Sequence, residues 1–250
     1  MKTLALVSLM IAVIVSPVSA QETSHGKILK PAEEHLMRAV GALSPGTHID
    51  TIAESVLPGI YELTSGSRLM YFDATGRYMI EGNVLDLKDR VNLSENRRAT
   101  LQMASINKIS EDQMVVFNNE EGNAQRHITV FTDSDCGFCQ KLHSEIDIIT
   151  DANIKVRYLL YPRAGMHSPS GKELESVWCA QDQQEAMTIA KTGGNVPHAN
   201  CVNPIDDHVE LAHEVELRGT PLIFLDSGKK IGGYQPAAQL IEQVLGSKPL

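Results

Sequence analysis

Apolar side chains at Leu36, Ala39, Val40 and Leu43 recur at helical spacing, and Pro31 suits a first helical turn, where its missing N–H costs nothing. A polar lead and this helix fill residues 21–43. The period then shortens. Residues 49–56 read as a strand. "GIYELT", "RLMYFD" and "RYMIEGNVLDL" read as three meander strands, the first two ending at the glycine-containing turns "SGS" and "ATG". "NLSENRRATLQMASINKIS" returns to helix. Asn92 with Glu95 three residues on is a variant of the capping box. The first half of this helix has no strong apolar stripe, and a helix of that kind often bridges domains, so residues 93–109 are expected to form a linker helix.

From about residue 112 buried strands alternate with helices. "HITVFT" is a buried strand, followed by a helix through about residue 150, and "IKVRYLLY" is a second buried strand. Residues 172–217 are helical. "PLIFLD" is a strand, "KKIGGY" its hairpin partner, and "PAAQLIEQVL" a closing helix. The order β-α-β, helical insert, β-β-α predicts a mixed sheet covered by helices. The expected fold class is an α+β amino-terminal module joined by a linker helix to an α/β domain with a helical insertion. The boundaries are 21–91 for the module, 92–111 for the linker and 112–250 for the second domain.

The module has roughly sixty residues, buries a small core and is marginal alone. It contains no cysteine, and a meander leaves edge strands free to pair. Dimerisation meets both problems; packing against the rest of the chain is the alternative.

Residues 1–20 have a different character. Lys2 precedes an apolar run from Leu4 to Val15, and Val18-Ser19-Ala20 supplies small residues at the spacing signal peptidase uses. This reads as a cleaved secretory leader, with cleavage after Ala20. The run is short for a membrane anchor and no basic cluster follows it. An exported protein with no membrane insertion after cleavage is expected. The chain carries 22 basic and 31 acidic residues, a net charge of −9, and losing Lys2 makes the balance one unit more negative. No Lys/Arg-rich block is present, which argues against nucleic acid or an anionic membrane surface as a partner.

All four cysteines, Cys136, Cys139, Cys179 and Cys201, follow the leader, in a chain bound for an oxidising compartment. Three connectivities are open, with pairing by proximity in sequence the default. "FTDSDCGFCQKLH" places Cys136 and Cys139 at the junction of a strand and a helix. The spacing to the later cysteines fits no common zinc pattern, so no metal and no cofactor are expected. A purely structural bridge would close a two-residue loop and stabilise little. Cys136 at the start of a helix faces unpaired amides that favour a thiolate, and Cys139 lies within the first turn. A redox pair follows, one sulfur attacking and the other resolving. Asp133 and Asp135 oppose the thiolate if they point at it. His143, four residues after Cys139, is more simply a surface or packed histidine. In "RGTPLIFL", Pro221 opens a strand where its lost N–H is tolerated.

These stretches resemble the thioredoxin fold and, within it, the periplasmic DsbC-type disulfide isomerases. The likeness is carried by "FTDSDCGFCQKLH", by "GTPLIFLDSGKKIGGYQP", by "LPGIYELTSGSRLMYFDATGRYMIEGNVLDL" as a dimerisation module, and by "SVWCAQD" and "ANC" as a second cysteine pair. The resemblance implies a thioredoxin-like second domain and a V-shaped homodimer around an apolar cleft, with Cys136 as nucleophile and Cys139 as resolving thiol. Gly137 and Phe138 form the active-site dipeptide. Thr220 and a cis Pro221 lie against the pair and hold substrate backbone, and Cys179 and Cys201 form a structural disulfide. It also implies a periplasmic location, misoxidised client proteins, a DsbD-type membrane reductant, and chaperone activity from the cleft. Phe138 stands where the family usually has tyrosine, and Gln140 where it often has histidine. Thioredoxin carries a buried acid six residues before its first cysteine; here that position is Val130. The expected activity is disulfide reshuffling. The alternatives are a thiol oxidase or reductase on the same fold, and a client-binding protein whose cysteines are incidental.

Overall fold

The computed structural model describes residues 30–119 and 121–250. The leader expected over residues 1–20, with its cleavage site, lies outside the described residues. Helix α1 (Lys30–Leu43) buries Leu36 and Val40 against an antiparallel sheet of order β1-β2-β3-β4. Its strands are β1 (Thr51–Glu54), β2 (Ile60–Ser65), β3 (Arg68–Asp73) and β4 (Met79–Ile80). The two-residue period puts Tyr61 and Leu63 on the face toward α1, with Phe72 directly opposite Tyr61.

"RYMIEGNVLDL" does not form one strand. Only β4 and β5 (Leu85–Asp86) are extended, and they lie in different sheets, β5 pairing with β6 (Val91–Asn92). The corner between them is held from outside the ladder. Arg98 donates to the Asn83 side chain (2.6 Å) and to the Gly82 carbonyl (3.0 Å), and Ser94 Oγ accepts the Val84 amide (2.8 Å). With these polar groups satisfied by helix α2 (Leu93–Ile106), the strand has no reason to continue.

Asn92 caps α2 by accepting the Glu95 amide at 3.0 Å. The helix ends at Ile106, short of residue 109, because the next amides fold back in tighter turns. Its polar first half serves the module: Arg97 pairs with Glu62 at 2.6 Å, and Ser94 bonds Tyr71 at 2.8 Å. Its second half buries Met103 and Ile106 among Phe131, Leu159 and Phe224 of the second domain.

That domain is a five-stranded mixed sheet of order β11-β10-β8-β9-β7. The strands are β7 (Val115–Phe117), β8 (Arg126–Thr132), β9 (Ile154–Leu160), β10 (Leu222–Leu225) and β11 (Lys230–Gly232); β8 and β9 are parallel and the other pairs antiparallel. Strand β7, absent from the expected order, is three residues long, too short to show a period. The continuous apolar runs of β8 and β9 follow from burial on both faces.

The helix expected after the cysteine motif breaks into α3 (Gly137–His143) and α4 (Ile146–Asp151). Glu145, at the break, accepts the Tyr234 hydroxyl and the Ala237 amide, both at 2.6 Å, and so holds the start of α8 (Ala237–Leu245). The insert divides into α5 (Pro169–Trp178), α6 (Gln183–Lys191) and α7 (Ile205–Glu214). Helices α5 and α6 cover one face of the sheet, and α7 packs with α2 on the other. No described helix is long and apolar enough to cross a membrane.

Candidate redox-active site

Strand β8 ends at Thr132, and four residues later Cys136 is the N-cap of α3, with extended backbone (φ −86°, ψ 112°). Cys139 falls in the first turn of that helix. The two sulfurs are free thiols here and differ in setting. Both are buried, Cys136 at 4% and Cys139 at 1% exposure, but beside Cys136 the dipeptide is open: Gly137 is exposed and Phe138 is 64% exposed. The open rim therefore lies over the first sulfur and not the second.

Across the pair runs the loop into β10. The Thr220–Pro221 bond is cis, and Cys136 Sγ donates to the Thr220 carbonyl at 3.3 Å. The Thr220 hydroxyl is buried and has no partner among the described residues, which leaves it free to donate to a thiolate. A groove of about 520 Å³ continues from this loop, lined by Gly219, Thr220, Leu222, Lys230 and Gly232.

Burial opposes ionisation of Cys136. Hydrogen bonding from Thr220, from the Cys139 thiol and from the Cys139 amide, together with the Arg163 charge, outweighs it and holds the Cys136 thiol below the ordinary range. Burial pushes the Cys139 thiol up, against the opposing Lys191 charge and the Asp133 amide. The pair is thus graded, one sulfur prepared to ionise and the other kept protonated.

The two carboxylates before Cys136 do not point at its sulfur. Asp133, fully buried, accepts the Arg163 amide (2.9 Å) and Nε (3.0 Å), and Asp135 accepts Arg163 Nη2 at 2.6 Å. One guanidinium, raised above its ordinary pKa chiefly by these two hydrogen bonds, pairs with both acids and offsets one of their two charges. Arg163→Met is therefore expected to raise the Cys136 pKa by about one unit or more. The sign is set by loss of a cation and release of two anions beside a developing anion. Below the Cys136 pKa of the unaltered protein alkylation should slow about tenfold, with the difference vanishing above the shifted pKa. Thiolate absorbance against pH checks this; an unmoved curve removes Arg163 from the account.

His143 is packed and does not line the opening. Its ring nitrogens meet Tyr158 Oη and Thr188 Oγ1, both at 3.1 Å, and it stands edge-on to Phe117. Burial, then the Lys191 charge, pushes its pKa down to about 4. Cys179 and Cys201 are joined in a disulfide, with Cα atoms 5.7 Å apart, that ties the end of α5 to the segment before α7. The structure thus gathers Cys136, Cys139, Gly137, Phe138, Thr220 and Pro221 at one place, with Cys179 and Cys201 in a bridge of their own. No cluster of metal-binding side chains occurs among the described residues.

Two functional neighbours escape sequence reasoning. Arg163 comes from the loop after β9, and its partners lie 28 and 30 residues away. Lys191 is buried at the end of α6, where its ammonium donates to Thr132 Oγ1 (2.6 Å) and the Asp133 carbonyl (2.7 Å). A signal for Lys191 existed. It follows Met187 by four residues, on the face that also buries Ala186 and Ala190.

Comparison with known proteins adds to this geometry. Residues 27–95 match the disulfide bond isomerase protein N-terminal domain, and residues 113–245 match a thioredoxin-like domain. The chain is similar to the thiol:disulfide interchange protein DsbC of Dickeya dadantii, with 31% identity over 76% of this chain and 78% of that protein. It is similar to the DsbC of Escherichia coli K12, with 31% identity over 79% and 81%. Among solved structures it resembles a disulfide interchange protein from Neisseria gonorrhoeae, with 26% identity and a TM-score of 0.50, over 57% of this chain and all of that one.

Proposed function

The chain belongs to the DsbC family of thiol:disulfide interchange proteins, and from that premise we propose that it is an exported, homodimeric isomerase that reshuffles wrong disulfides in periplasmic client proteins. The observation that carries the reading is the graded pair: a thiol lowered in pKa at a helix N-cap beside an exposed dipeptide, backed by a buried thiol raised in pKa.

The Cys136 thiolate attacks one sulfur of a client disulfide. A mixed disulfide forms, and the other client sulfur leaves with the electron pair of the broken bond. If a different thiolate of the client attacks the client sulfur of the mixed disulfide, Cys136 leaves as thiolate and the client has been rearranged with no net change of redox state; attack by the thiolate just freed only restores the original bond. If Cys139 attacks Cys136 instead, the client is released reduced by two electrons and the pair closes. Thr220 and cis Pro221 face the attacking sulfur and present backbone to an extended client segment. Phe138 offers an apolar ring at the rim. Its missing hydroxyl, relative to the tyrosine usual in the family, tunes the pair's poise. Residues 112–250 are the catalytic domain, residues 92–111 the linker, and residues 21–91 the dimerisation module.

Support for the dimer comes from an open β4 edge and from exposed Tyr78, Met79, Ile80, Leu85 and Leu87, a large apolar surface for a monomer to leave in water. Two catalytic domains held by such a dimer enclose a cleft that also shelters unfolded chains, giving chaperone activity without thiols. A DsbD-type reductant keeps the pair reduced, and the chemistry needs no prosthetic group.

The test is reactivation of scrambled, fully oxidised ribonuclease by the reduced protein in a mild glutathione buffer. Recovery above the buffer rate is the expected result. No recovery, from a protein whose Cys136–Cys139 bond opens and closes normally, overturns the isomerase reading and leaves a dedicated oxidase.

A further inference from the structure

The groove that continues from the cis-Pro loop is joined to the attacking sulfur through Thr220, whose carbonyl lies 3.3 Å from Cys136 Sγ. Gly219, Gly232 and Gly233 line it, and a Cβ at any of the three would meet nothing within 4 Å. Their missing side chains leave room for another chain's backbone beside the redox pair. Gly233 is itself held in place, donating its amide to the Pro221 carbonyl at 2.8 Å.

The same groove carries cations. Arg218, two residues before Thr220, is exposed and forms no ion pair among the described residues. Lys230 is half-buried. Its Nζ donates to the Val215 carbonyl at 2.7 Å, lies 5.8 Å from the centre of the Phe224 ring, and has no carboxylate within ion-pair distance among the described residues. An ammonium held by one carbonyl keeps further protons for another acceptor. Burial lowers the Lys230 pKa, so an incoming carboxylate gains more there than on open surface. The acids nearby are turned elsewhere. Glu216, in the lining, approaches Arg68 of the module at 3.9 Å, Glu214 accepts from Ser105 at 2.5 Å, and Glu95 approaches Arg98 at 3.9 Å. Asp135, next to Cys136, is paired with Arg163 at 2.6 Å.

We propose that Arg218, with Lys230, makes this groove a subsite for an acidic side chain of the client, so that a disulfide flanked by Asp or Glu is attacked in preference to one flanked by neutral or basic residues. The proposal rests on Cys136 as the attacking thiol and names the class of client segment that site prefers. An extended segment advances about 3.3 Å per residue, so the acid stands within roughly three residues of the client cysteine. The chain as a whole carries a net charge of −9. Its general field therefore repels an acidic client, and the attraction is local to the groove, within about a Debye length of 8–10 Å.

Peptides whose single cysteine is joined to an uncharged thiopyridyl group test this. Attack of Cys136 on the peptide sulfur forms the mixed disulfide and releases the thiopyridyl group with the electron pair of the broken bond, and absorbance follows the release. The peptides differ only in carrying Asp, Asn or Lys beside the cysteine. Dividing each rate by that of a small neutral thiol removes the peptide's own effect on its disulfide. The Asp peptide should react about threefold to tenfold faster than the Asn peptide, and the Lys peptide more slowly than either, with the gap closing as salt is raised. Arg218→Gln should narrow the gap and Arg218→Glu should invert the order. Reaction of both variants with uncharged dipyridyl disulfide should stay within about twofold, since Arg218 meets the client and not the sulfur. Glu216→Gln should keep the preference or widen it.

Equal normalised rates for Asp and Asn peptides, a preference that survives high salt, or one that neither Arg218 variant moves would overturn the proposal. So would loss of the preference in Glu216→Gln. The isomerase reading fails separately: an unaltered protein that does not react with dipyridyl disulfide loses Cys136 as the attacking thiol, whatever the peptides show.

Discussion

Cys136→Ser should bring reactivation of scrambled ribonuclease down to the buffer rate, a loss of at least about 100-fold, since removing a nucleophile outright removes the step it performs. Cys139→Ser should behave differently. It keeps the attacking thiolate, so client and protein should accumulate as a mixed disulfide that non-reducing electrophoresis detects. The asymmetry is grounded in position. Cys136 caps a helix, faces Thr220 and has its pKa lowered against the effect of burial; Cys139 is buried and raised. The pH dependence follows with its sign. Attack should gain rate as pH rises through the lowered Cys136 pKa and level off above it. The same ionisation stabilises the folded dithiol form: fully above the ordinary thiol pKa, and no longer once pH falls through the lowered one. If Cys139→Ser abolished the first attack and Cys136→Ser did not, the roles would be exchanged.

What the sequence could show of this site was what is contiguous in it. The apolar run of β8 and the cysteines four and seven residues beyond its end lie within one strand-to-helix junction, so local periodicity and spacing were enough to place both sulfurs. The Thr220 carbonyl lies 84 residues from Cys136, and only the resemblance brought it there. Asp133 and Asp135 were legible as charges next to Cys136, but their effect depends on direction, which Arg163 sets from the loop after β9. Lys191 was hidden for a related reason: a lysine at a helix end ordinarily reads as a solvated cap. The fold shows the same division. Long apolar runs gave β8, β9 and α8. The meander's last strand failed because Arg98 and Ser94, side chains of the next helix, take the backbone groups a ladder would have used.

Leu36→Ala should separate the two halves of the protein. Leu36 is fully buried under the small sheet, among Val40, Tyr61, Leu63 and Phe72. Alanine keeps the helical preference of α1, so the loss is the cavity and the transfer of the removed atoms, about 2–5 kcal/mol. A module of this size has little stability to spare, and if it is the dimerisation unit, weakening it costs the dimer as well. The second domain has its own two clusters on either side of β8 and β9 and does not depend on Leu36. Trp178, the single tryptophan, packs in that domain, so its fluorescence reports the second domain while circular dichroism reports both. In Leu36→Ala the dichroism transition should gain an early phase at low denaturant, with the fluorescence midpoint little moved. Sedimentation should show monomer where the unaltered protein is dimer. Reaction of Cys136 with an aromatic disulfide should stay within about twofold, because Leu36 packs in the module's own cluster and shares no partner with the redox pair, while ribonuclease reactivation falls. A single transition shifted as a whole would mean that α2, shared between the halves through Ser94 and Arg97 on one side and Met103 and Ile106 on the other, couples them into one folding unit. Reactivation would then be lost through stability, and the dimer would no longer be needed to explain it.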